Sequence, residues 1–184
     1  MNMFDRRKSG ESAPSGLTIG RRSFGALCLA SLATGAGAAE LRRPAASSIL
    51  TISGKIRVTN EGETARFDRQ MLEEIGMESF TTKTPWYDDP VTFEGPRMSK
   101  IMAAVEAYGE TVTAVALNDY ITPIPMSDFA QYGTLLALKR NGAYMPVRDK
   151  GPLFIVYPYD TDADLRHRRF YSRSAWQVAR LVVS

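Results

Sequence analysis

The spacing of apolar residues divides the chain after residue 48 into many short strands and a few short helices. Apolar residues that alternate with polar ones predict strands, whereas apolar residues three and four positions apart predict one face of a helix. The strands predicted in this way cover residues 50–58, 91–93, 111–117, 121–124, 134–138, 143–146, 152–157 and 176–183. The predicted helices cover residues 67–75 and 98–105, and a further helical turn begins at residues 127–128. This order of elements predicts an α+β fold in a single domain, residues 49–184.

Proline and glycine mark two structural features of this pattern. Pro123 and Pro125 fall in or directly after one predicted strand. Since proline cannot donate a backbone hydrogen bond, we expect that strand at the edge of its sheet. Asn141 and Gly142 separate two apolar segments and predict a β-hairpin, because both residue types tolerate the positive φ of a tight turn.

Residues 1–38 contain the three parts of a secretory signal peptide in order. Basic residues, Arg21 and Arg22 among them, precede a short apolar run at residues 25–32, and small residues follow up to Ala38. Such a segment directs export and is then removed, and its apolar run is too short to span a bilayer. We therefore expect a periplasmic protein that is cleaved near Ala38 and is not inserted in the membrane afterwards. The alternative is a disordered tail followed by a core helix.

The paired arginines stand directly before Ser23 and Phe24, which resembles the twin-arginine type of signal. Gly20 occupies the place where that type usually has a hydroxyl residue, so the general secretion route stays open. Residues 39–48 are rich in Ala, Arg, Pro and Ser. This composition predicts a short linker between the signal and the domain.

The net charge and the cysteine content both change when the leader, residues 1–38, is excluded. The leader holds five of the 23 Lys and Arg residues and two of the 20 Asp and Glu residues, so the rest of the chain carries no net charge. That balance gives no indication of nucleic-acid binding. The single cysteine, Cys28, also lies in the leader, so the exported part has no thiolate. The single histidine, His167, stands among arginines and gives no signature of a metal site.

Four clusters of polar and aromatic residues lie at the ends of predicted strands. They cover residues 81–89, 118–120, 148–152 and 171–176. Each one alone is typical of an ordinary turn or of a core aromatic residue. If the four strand ends converge, they combine aromatic faces, a carboxylate, an amide and cations, which suits a flat heterocycle with hydrogen-bonding edges. A carboxylate can accept two parallel N–H bonds from an amino-pyrimidine edge while a tryptophan stacks on the ring.

Several short motifs follow one another in order from residue 86 to residue 183. They are Phe93-Glu94-Gly95-Pro96-Arg97-Met98, Asp119-Tyr120 with Ile124-Pro125, Leu135-Leu136-Ala137 with Asn141-Gly142 and Met145-Pro146, Lys150-Gly151-Pro152-Leu153 with Val156-Tyr157-Pro158, and Ser174-Ala175-Trp176. In their order and spacing they resemble the molybdopterin-binding domain of the sulfite oxidase superfamily. The resemblance implies a mixed β-sheet, barrel-like, with a few short helices.

The chain departs from that family at the metal site. The loop that carries the family's molybdenum-ligating cysteine corresponds here to residues 80–86, which hold Thr81, Thr82 and Thr84. Threonine oxygen is a poor replacement for a soft thiolate. The lysine of the family's closing motif is also missing, because Ala175 stands in its place. The chain therefore resembles metal-free, exported relatives that bind reduced pterins and relay the pterin level to the periplasmic domain of a membrane-bound cyclic-di-GMP enzyme, and molybdenum cofactor is not expected.

The resemblance implies roles for residues of the four clusters. Trp86 or Tyr157 is expected to stack on the pterin, and Asp119 to pair with its amino-pyrimidine edge. Arg148 and Lys150 are expected to hold the carbonyl or side-chain hydroxyls. The full set of expected binding residues is Asn60, Trp86, Asn118, Asp119, Tyr120, Arg148, Lys150, Gly151, Tyr157 and Trp176. Two other functions stay open: a molybdopterin-dependent oxidoreductase with a non-cysteine metal site, and an interaction module whose pocket is empty.

Overall fold

A computed structural model describes residues 41–184, and these residues have the predicted α+β fold. The strands are β1 (Leu50–Gly54), β2 (Ala65–Phe67), β3 (Met77–Thr84), β4 (Tyr87–Pro96), β5 (Thr111–Ala116), β6 (Ile121–Pro125), β7 (Leu135–Ala137), β8 (Lys139–Arg140), β9 (Ala143–Tyr144), β10 (Phe154–Val156) and β11 (Val178–Val183). The helices are α1 (Arg69–Glu74), α2 (Met98–Ala104), α3 (Met126–Tyr132) and α4 (Arg168–Arg173), with 3₁₀ turns at Val147–Asp149 and Ala163–Leu165. None of the helices within these residues has the length and hydrophobicity that crossing a membrane requires. The predicted signal peptide lies outside the described residues.

The strands form three sheets. The largest has the order β2-β1-β11-β5-β6, in which β1 is parallel to β11 and all other neighbours are antiparallel. A second sheet has the order β3-β4-β8-β9, and β7 pairs with β10 as a third. The sheets are thus mixed, but none of those formed by residues 41–184 closes into a barrel, so the barrel-like expectation is wrong. Pro123 and Pro125 help to keep the largest sheet open, because they cannot donate to a further strand, and the predicted edge position of β6 is confirmed.

One face of the five-stranded sheet builds the hydrophobic core. Alternate residues of its central strands, such as Ile52, Leu181 and Ala114, are fully buried. The buried residues of α2, which are Met98, Ile101 and Met102, belong to the same continuous core and lie on the helix face that the sequence predicts. The opposite face of this sheet is directed away from the core, because successive side chains of a strand point to opposite sides.

β3 and β4 form a long β-hairpin, whereas the sequence predicts a polar loop over residues 81–89. The threonines of β3 follow the strand period, since Thr82 and Thr84 are buried and Thr81 is exposed. Threonine favours strands, and a buried hydroxyl needs a hydrogen-bond partner. Thr82 Oγ1 accepts the backbone N–H of Asp160 at 3.1 Å. The tip of the hairpin is therefore tied to the loop that follows β10.

Several element boundaries also differ from the predictions. β1 ends at Gly54, whose φ of +89° and close approach to the carbonyl oxygen of Val183 require a glycine. α1 begins only after Asp68, which caps it by accepting the N–H of Met71. The predicted helical turn is α3, and it begins at Met126. β2 and α4 are absent from the sequence prediction.

Residues 41–48, the described part of the predicted linker, contain no helix or strand but are held on the domain. The backbone N–H groups of Ala45 and Ala46 donate to Oδ2 of Asp68 over 2.7 and 3.2 Å. Arg42 forms an ion pair with Glu74, with Nη2 and Oε2 3.1 Å apart. These contacts fasten the segment along α1, from its N-cap Asp68 to its last residue Glu74.

Candidate functional site

A cavity of about 190 Å³ lies where the β3–β4 hairpin tip, the β5–β6 turn and the end of α4 meet. Its walls are formed by Trp86, Asn118, Tyr120, Tyr171, Ser174 and Trp176. Pockets for drug-sized ligands usually measure about 300–1,000 Å³. The smaller volume and the mainly aromatic walls suit a compact planar ligand.

Trp86 is the centre of the aromatic wall. Its ring meets Trp176 edge to face, with centroids 5.6 Å apart, and meets Tyr171 in the same way at 6.1 Å. Its inner side packs on the core residues Phe154 at 5.3 Å and Tyr159 at 6.2 Å. Edge-to-face contacts of this kind are attractive because the positive ring edge faces the negative ring face. The hairpin tip is thus fixed to the core while Trp86 still borders the cavity.

The turn between β5 and β6 supplies the polar side of the cavity. Asn118 Oδ1 accepts the backbone N–H of Tyr120 at 3.2 Å, which is the Asx turn typical of such a sequence. Asp119 has a φ of +62°, which Asp and Asn tolerate better than most residues. Tyr120 Oη donates to the carbonyl oxygen of Ser172 over 2.7 Å and ties the turn to α4. Nδ2 of Asn118 has no hydrogen-bond partner within residues 41–184 and can donate to a ligand.

The end of α4 supplies the remaining wall, and its polar groups are already paired. Ser174 is buried, donates to the carbonyl oxygen of Phe170 over 2.9 Å and shares a short hydrogen bond with the hydroxyl of Tyr159. Burial raises the pKa of Tyr159, so this phenol stays neutral. Ser174 therefore shapes the cavity, whereas Asn118 offers it a free donor.

The buried carboxylate of Asp128 in α3 fixes α4 to α3. Arg173 Nη1 lies 2.8 Å from Oδ2 of Asp128, and the hydroxyl of Tyr157 donates to the same oxygen over 2.8 Å. Burial and, secondly, the hydrogen bond to Asp128 raise the pKa of Tyr157, so this hydroxyl remains a donor. The carboxylate thus has two donors, as a buried charge requires. The position of the α4 wall depends on this contact.

A cation stands next to Trp176, outside the walls of the cavity. Lys150 Nζ lies 4.7 Å from the ring centroid of Tyr87 and 6.0 Å from that of Trp176. The neighbouring carboxylate of Asp149 is bound to Arg140, with Nη2 and Oδ2 2.6 Å apart. The hydrogen bonds from Arg140 lower the pKa of Asp149, which is therefore ionised and already paired at neutral pH. Lys150 makes no ion pair within the described residues.

Four of the ten residues predicted to bind a ligand line the cavity together. They are Trp86, Asn118, Tyr120 and Trp176. Asp119 adjoins them in the chain but is exposed and is not part of the walls. In the structure, the amide of Asn118 therefore lies at the cavity wall, where the sequence prediction places the carboxylate of Asp119.

The other predicted residues lie elsewhere. Tyr157 is fully buried in the core, which leaves no open ring face for stacking. Asn60 uses its side chain to accept the N–H of Arg66 and to donate to its carbonyl oxygen, both over 2.8 Å, and it lines a different cleft. Arg148 is exposed. Gly151 is buried, and a Cβ there would collide with a backbone carbonyl, so packing explains that glycine.

Tyr171 and Ser174 line the cavity but are missing from the predicted binding residues. Both belong to the cluster at residues 171–176 that the sequence singles out. Their direction depends on α4, which turns Tyr171 and Ser174 towards Trp86 and which the sequence prediction lacks. Once a helix is recognised there, the spacing of three places both residues on one helix face.

Comparison with known proteins does not identify the chain. No protein-family model matches it, and no curated protein matches it significantly. The resemblance to the molybdopterin-binding domain stays a prediction. Within residues 41–184, His, Cys, Asp and Glu side chains form no group of three that could hold a metal ion.

Proposed function

We propose that the protein binds a planar heterocycle of the pterin class in the aromatic cavity. The observation that carries this proposal is the meeting of three sequence clusters at one small cavity: the hairpin tip with Trp86, the turn with Asn118, and the segment ending in Trp176. A planar ring can lie against these aromatic walls with little loss of conformational entropy. The motif resemblance adds the reason to choose a pterin among planar heterocycles.

Asn118 is the group that we propose for reading the ring's hydrogen-bonding edge. Its Nδ2 can donate to a ring nitrogen or carbonyl oxygen, and its Oδ1 keeps a second lone pair beside the bond to Tyr120. A pterin presents donors and acceptors side by side on its pyrimidine edge. The amide of Asn118 can therefore donate to this edge through Nδ2 and accept from it through Oδ1. Asp119 contributes at most from the mouth of the cavity.

The threonines that stand where the resembling family has its cysteine do not fit a molybdenum centre. Thr82 Oγ1 accepts a backbone N–H from the loop after β10, Thr84 Oγ1 accepts the N–H of Trp86 at 3.4 Å, and Thr81 Oγ1 bonds to Thr92 over 2.8 Å. All three hydroxyls are thus paired, two within the hairpin and one between the hairpin and the loop after β10. We therefore propose metal-free pterin binding in preference to molybdenum-dependent oxidation.

The proposed biological role is that of an exported sensor. The signal-like leader supports a periplasmic location, and the motif resemblance supports a relay of the reduced-pterin level to the periplasmic domain of a membrane-bound signalling partner, such as a cyclic-di-GMP enzyme. The ligand would bind where three separate chain segments meet and would hold them together more firmly. This change in rigidity is what the partner could detect.

Tryptophan fluorescence tests the proposal directly, because both tryptophans of the chain line the cavity. We expect a tetrahydropterin to quench the purified exported protein at micromolar concentration, with calorimetry giving the same affinity. Asn118→Asp keeps the acceptor for Tyr120 but replaces the free donor, and it should weaken binding about tenfold or more. Asp119→Asn, the matched control next to it, should change affinity less than about twofold, within the error usual for an exposed site.

Three outcomes would contradict the proposal. The first is the absence of quenching and heat at millimolar tetrahydropterin. The second is equal binding by the wild type and Asn118→Asp, which would move the ligand away from this cavity. The third is stoichiometric molybdenum in the protein purified from its exported form, which would favour the oxidoreductase.

A further inference from the structure

The outer face of the five-stranded sheet carries exposed apolar side chains among polar ones such as Thr113. A sheet with one face on the core normally presents polar side chains on the other. Here Ile121 of β6 is 60% exposed and Val182 of β11 is 37% exposed. Beside the sheet, Leu117 and Val147 are 54% and 51% exposed. An apolar surface of this kind, gathered on one side of a domain, is typical of an interaction site.

The strand register groups these side chains. Arg180 lies opposite Val115 in the pairing of β11 with β5, and Val115 lies opposite Ile121 in the pairing of β5 with β6. Residues opposite each other in neighbouring antiparallel strands share a face. Arg180, the buried Val115 and the exposed Ile121 therefore lie side by side in one row across the outer face, and this row continues past Arg180 to Thr51.

A groove of about 340 Å³ adjoins the arginine end of this row. Its lining includes Ile49, Leu117, Val147, Pro152, Ala179 and Arg180. The polar lining residues are Ser48, Thr51 and Arg180, and the other lining residues are apolar. The groove and the row share Arg180, so together they form one continuous surface, which we call the outer-face groove.

The charge of this surface is positive. Arg180 is exposed and lines the groove, and Arg148 is exposed directly after Val147. Neither arginine has an acidic partner within residues 41–184, and no acidic side chain lines the groove. A partner that covers the apolar surface must therefore also face these cations, and acidic side chains would complement them.

We propose that the outer-face groove docks a protein segment that combines apolar and acidic side chains. This proposal names the surface that would bind the partner of the proposed sensor and the side-chain chemistry of that partner. It therefore rests on the proposed function. The surface itself does not need a pterin, so the two proposals can fail separately. The β5–β6 turn joins the two sites, because Leu117 borders the groove while Asn118 borders the cavity.

Selection from a displayed library of random dodecapeptides on the immobilised full chain, without pterin, tests this docking site. We expect enriched peptides to carry Leu, Ile or Phe together with Asp or Glu. Arg180→Glu should weaken the synthesised peptides about tenfold or more, because it places like charges together. Lys55→Glu is the matched control, since Lys55 is exposed at the opposite end of β1, and it should leave affinity unchanged. Peptides with Lys in place of Asp and Glu should regain binding to Arg180→Glu.

Other results would overturn the docking proposal. Enriched peptides without acidic residues, or peptides that ignore both Arg180→Glu and Ile121→Asp, would place binding elsewhere. Self-association in sedimentation that Ile121→Asp abolishes would identify a second copy of the chain as the occupant. Binding to phosphatidylglycerol vesicles that Arg180→Glu abolishes would identify a membrane surface instead. Pterin titration of Arg180→Glu should match the wild type, which keeps this test separate from the test of the cavity.

Discussion

Trp86 and Trp176 meet edge to face, with ring centroids 5.6 Å apart and ring planes inclined by 77°. Trp86 comes from the tip of the β3–β4 hairpin, and Trp176 comes from the segment between α4 and β11. Both rings also pack on Phe154, at 5.3 and 6.1 Å. This contact joins two distant chain segments over the core, so it serves stability as well as the shape of the cavity.

Trp86→Ala should therefore destabilise the fold as well as open the cavity. We expect a loss of about 3 kcal/mol in the free energy of unfolding, at the lower end for a truncated tryptophan because Trp86 is only half-buried. Trp86→Phe keeps a ring against Phe154 and should cost less than half as much. Urea unfolding followed by circular dichroism measures both. An unchanged unfolding midpoint in Trp86→Ala would mean that the hairpin tip is not held by its ring.

Tyr157→Phe separates a stabilising role from a ligand-binding role. The hydroxyl of Tyr157 donates to the buried carboxylate of Asp128, so its removal should cost about 1–2 kcal/mol of stability. Pterin affinity should stay within about twofold of the wild type, since a change below that size is typical away from a site. Tyr120→Phe removes an exposed hydroxyl bond and should cost less stability. A large loss of affinity with unchanged stability in Tyr157→Phe would show that the hydroxyl contacts the ligand instead of Asp128.

Asp68 makes the stability of the domain sensitive to acid. Burial would raise the pKa of Asp68, but hydrogen bonds from the backbone N–H groups of Met71, Ala46 and Ala45 outweigh burial. The charge of Arg42 adds to them, and the net pKa lies below the ordinary value of 3.8. A lowered pKa in the folded state means that the ionised group stabilises the fold above its ordinary pKa. That contribution is lost as the pH falls through the lowered pKa.

The expected result is a difference between the wild type and Asp68→Asn that depends on pH. Asn can still cap α1 through Oδ1, but its Nδ2 cannot accept the N–H groups of Ala45 and Ala46, so the variant removes the charge together with these two hydrogen bonds. The wild type should be more stable by about 1–2 kcal/mol near pH 7, and this advantage should shrink as the pH falls below the ordinary pKa of 3.8. Urea unfolding at a series of pH values gives the difference. A constant difference across that range would assign the effect to packing instead of ionisation.

The elements that the sequence predicts correctly are those set by local chemistry. α2 follows from apolar residues three and four apart, and Asn141 and Gly142 do adopt positive φ values of 49° and 80° in the predicted hairpin. β3 escapes prediction because its run of threonines reads as a polar loop. Its buried Thr82 is tolerated only because a backbone N–H of Asp160, far along the chain, pairs with it. Such a partner is not visible in a local pattern.

The candidate site follows the same division. Trp86 and Trp176 could be predicted as site residues, because each is an aromatic residue within a polar cluster at the end of a strand and such a cluster is visible in the sequence. The choice between Asn118 and Asp119 depends on the left-handed backbone at Asp119, which turns neighbouring side chains apart. The sequence predicts Tyr157 as a binding residue, because its buried hydrogen bond to Asp128 is visible only in the structure. Side-chain direction and distant partners thus limit what the sequence reveals.

Lys150 should set a preference for ligands with a negative charge, if the cavity holds a pterin. Its Nζ lies 6.0 Å from the ring centroid of Trp176 and has no carboxylate partner within residues 41–184, because Asp149 is bound to Arg140. Pterin-6-carboxylate should bind the wild type about threefold to fivefold more tightly than 6-methylpterin, the size typical of a half-exposed ion pair. Lys150→Met should remove this preference, whereas Arg148→Met, which changes an exposed cation nearby, should keep it. The preference should also shrink as salt is raised, since salt screens exposed charges. Equal binding of the two pterins by the wild type at low salt would show that Lys150 does not face the ligand.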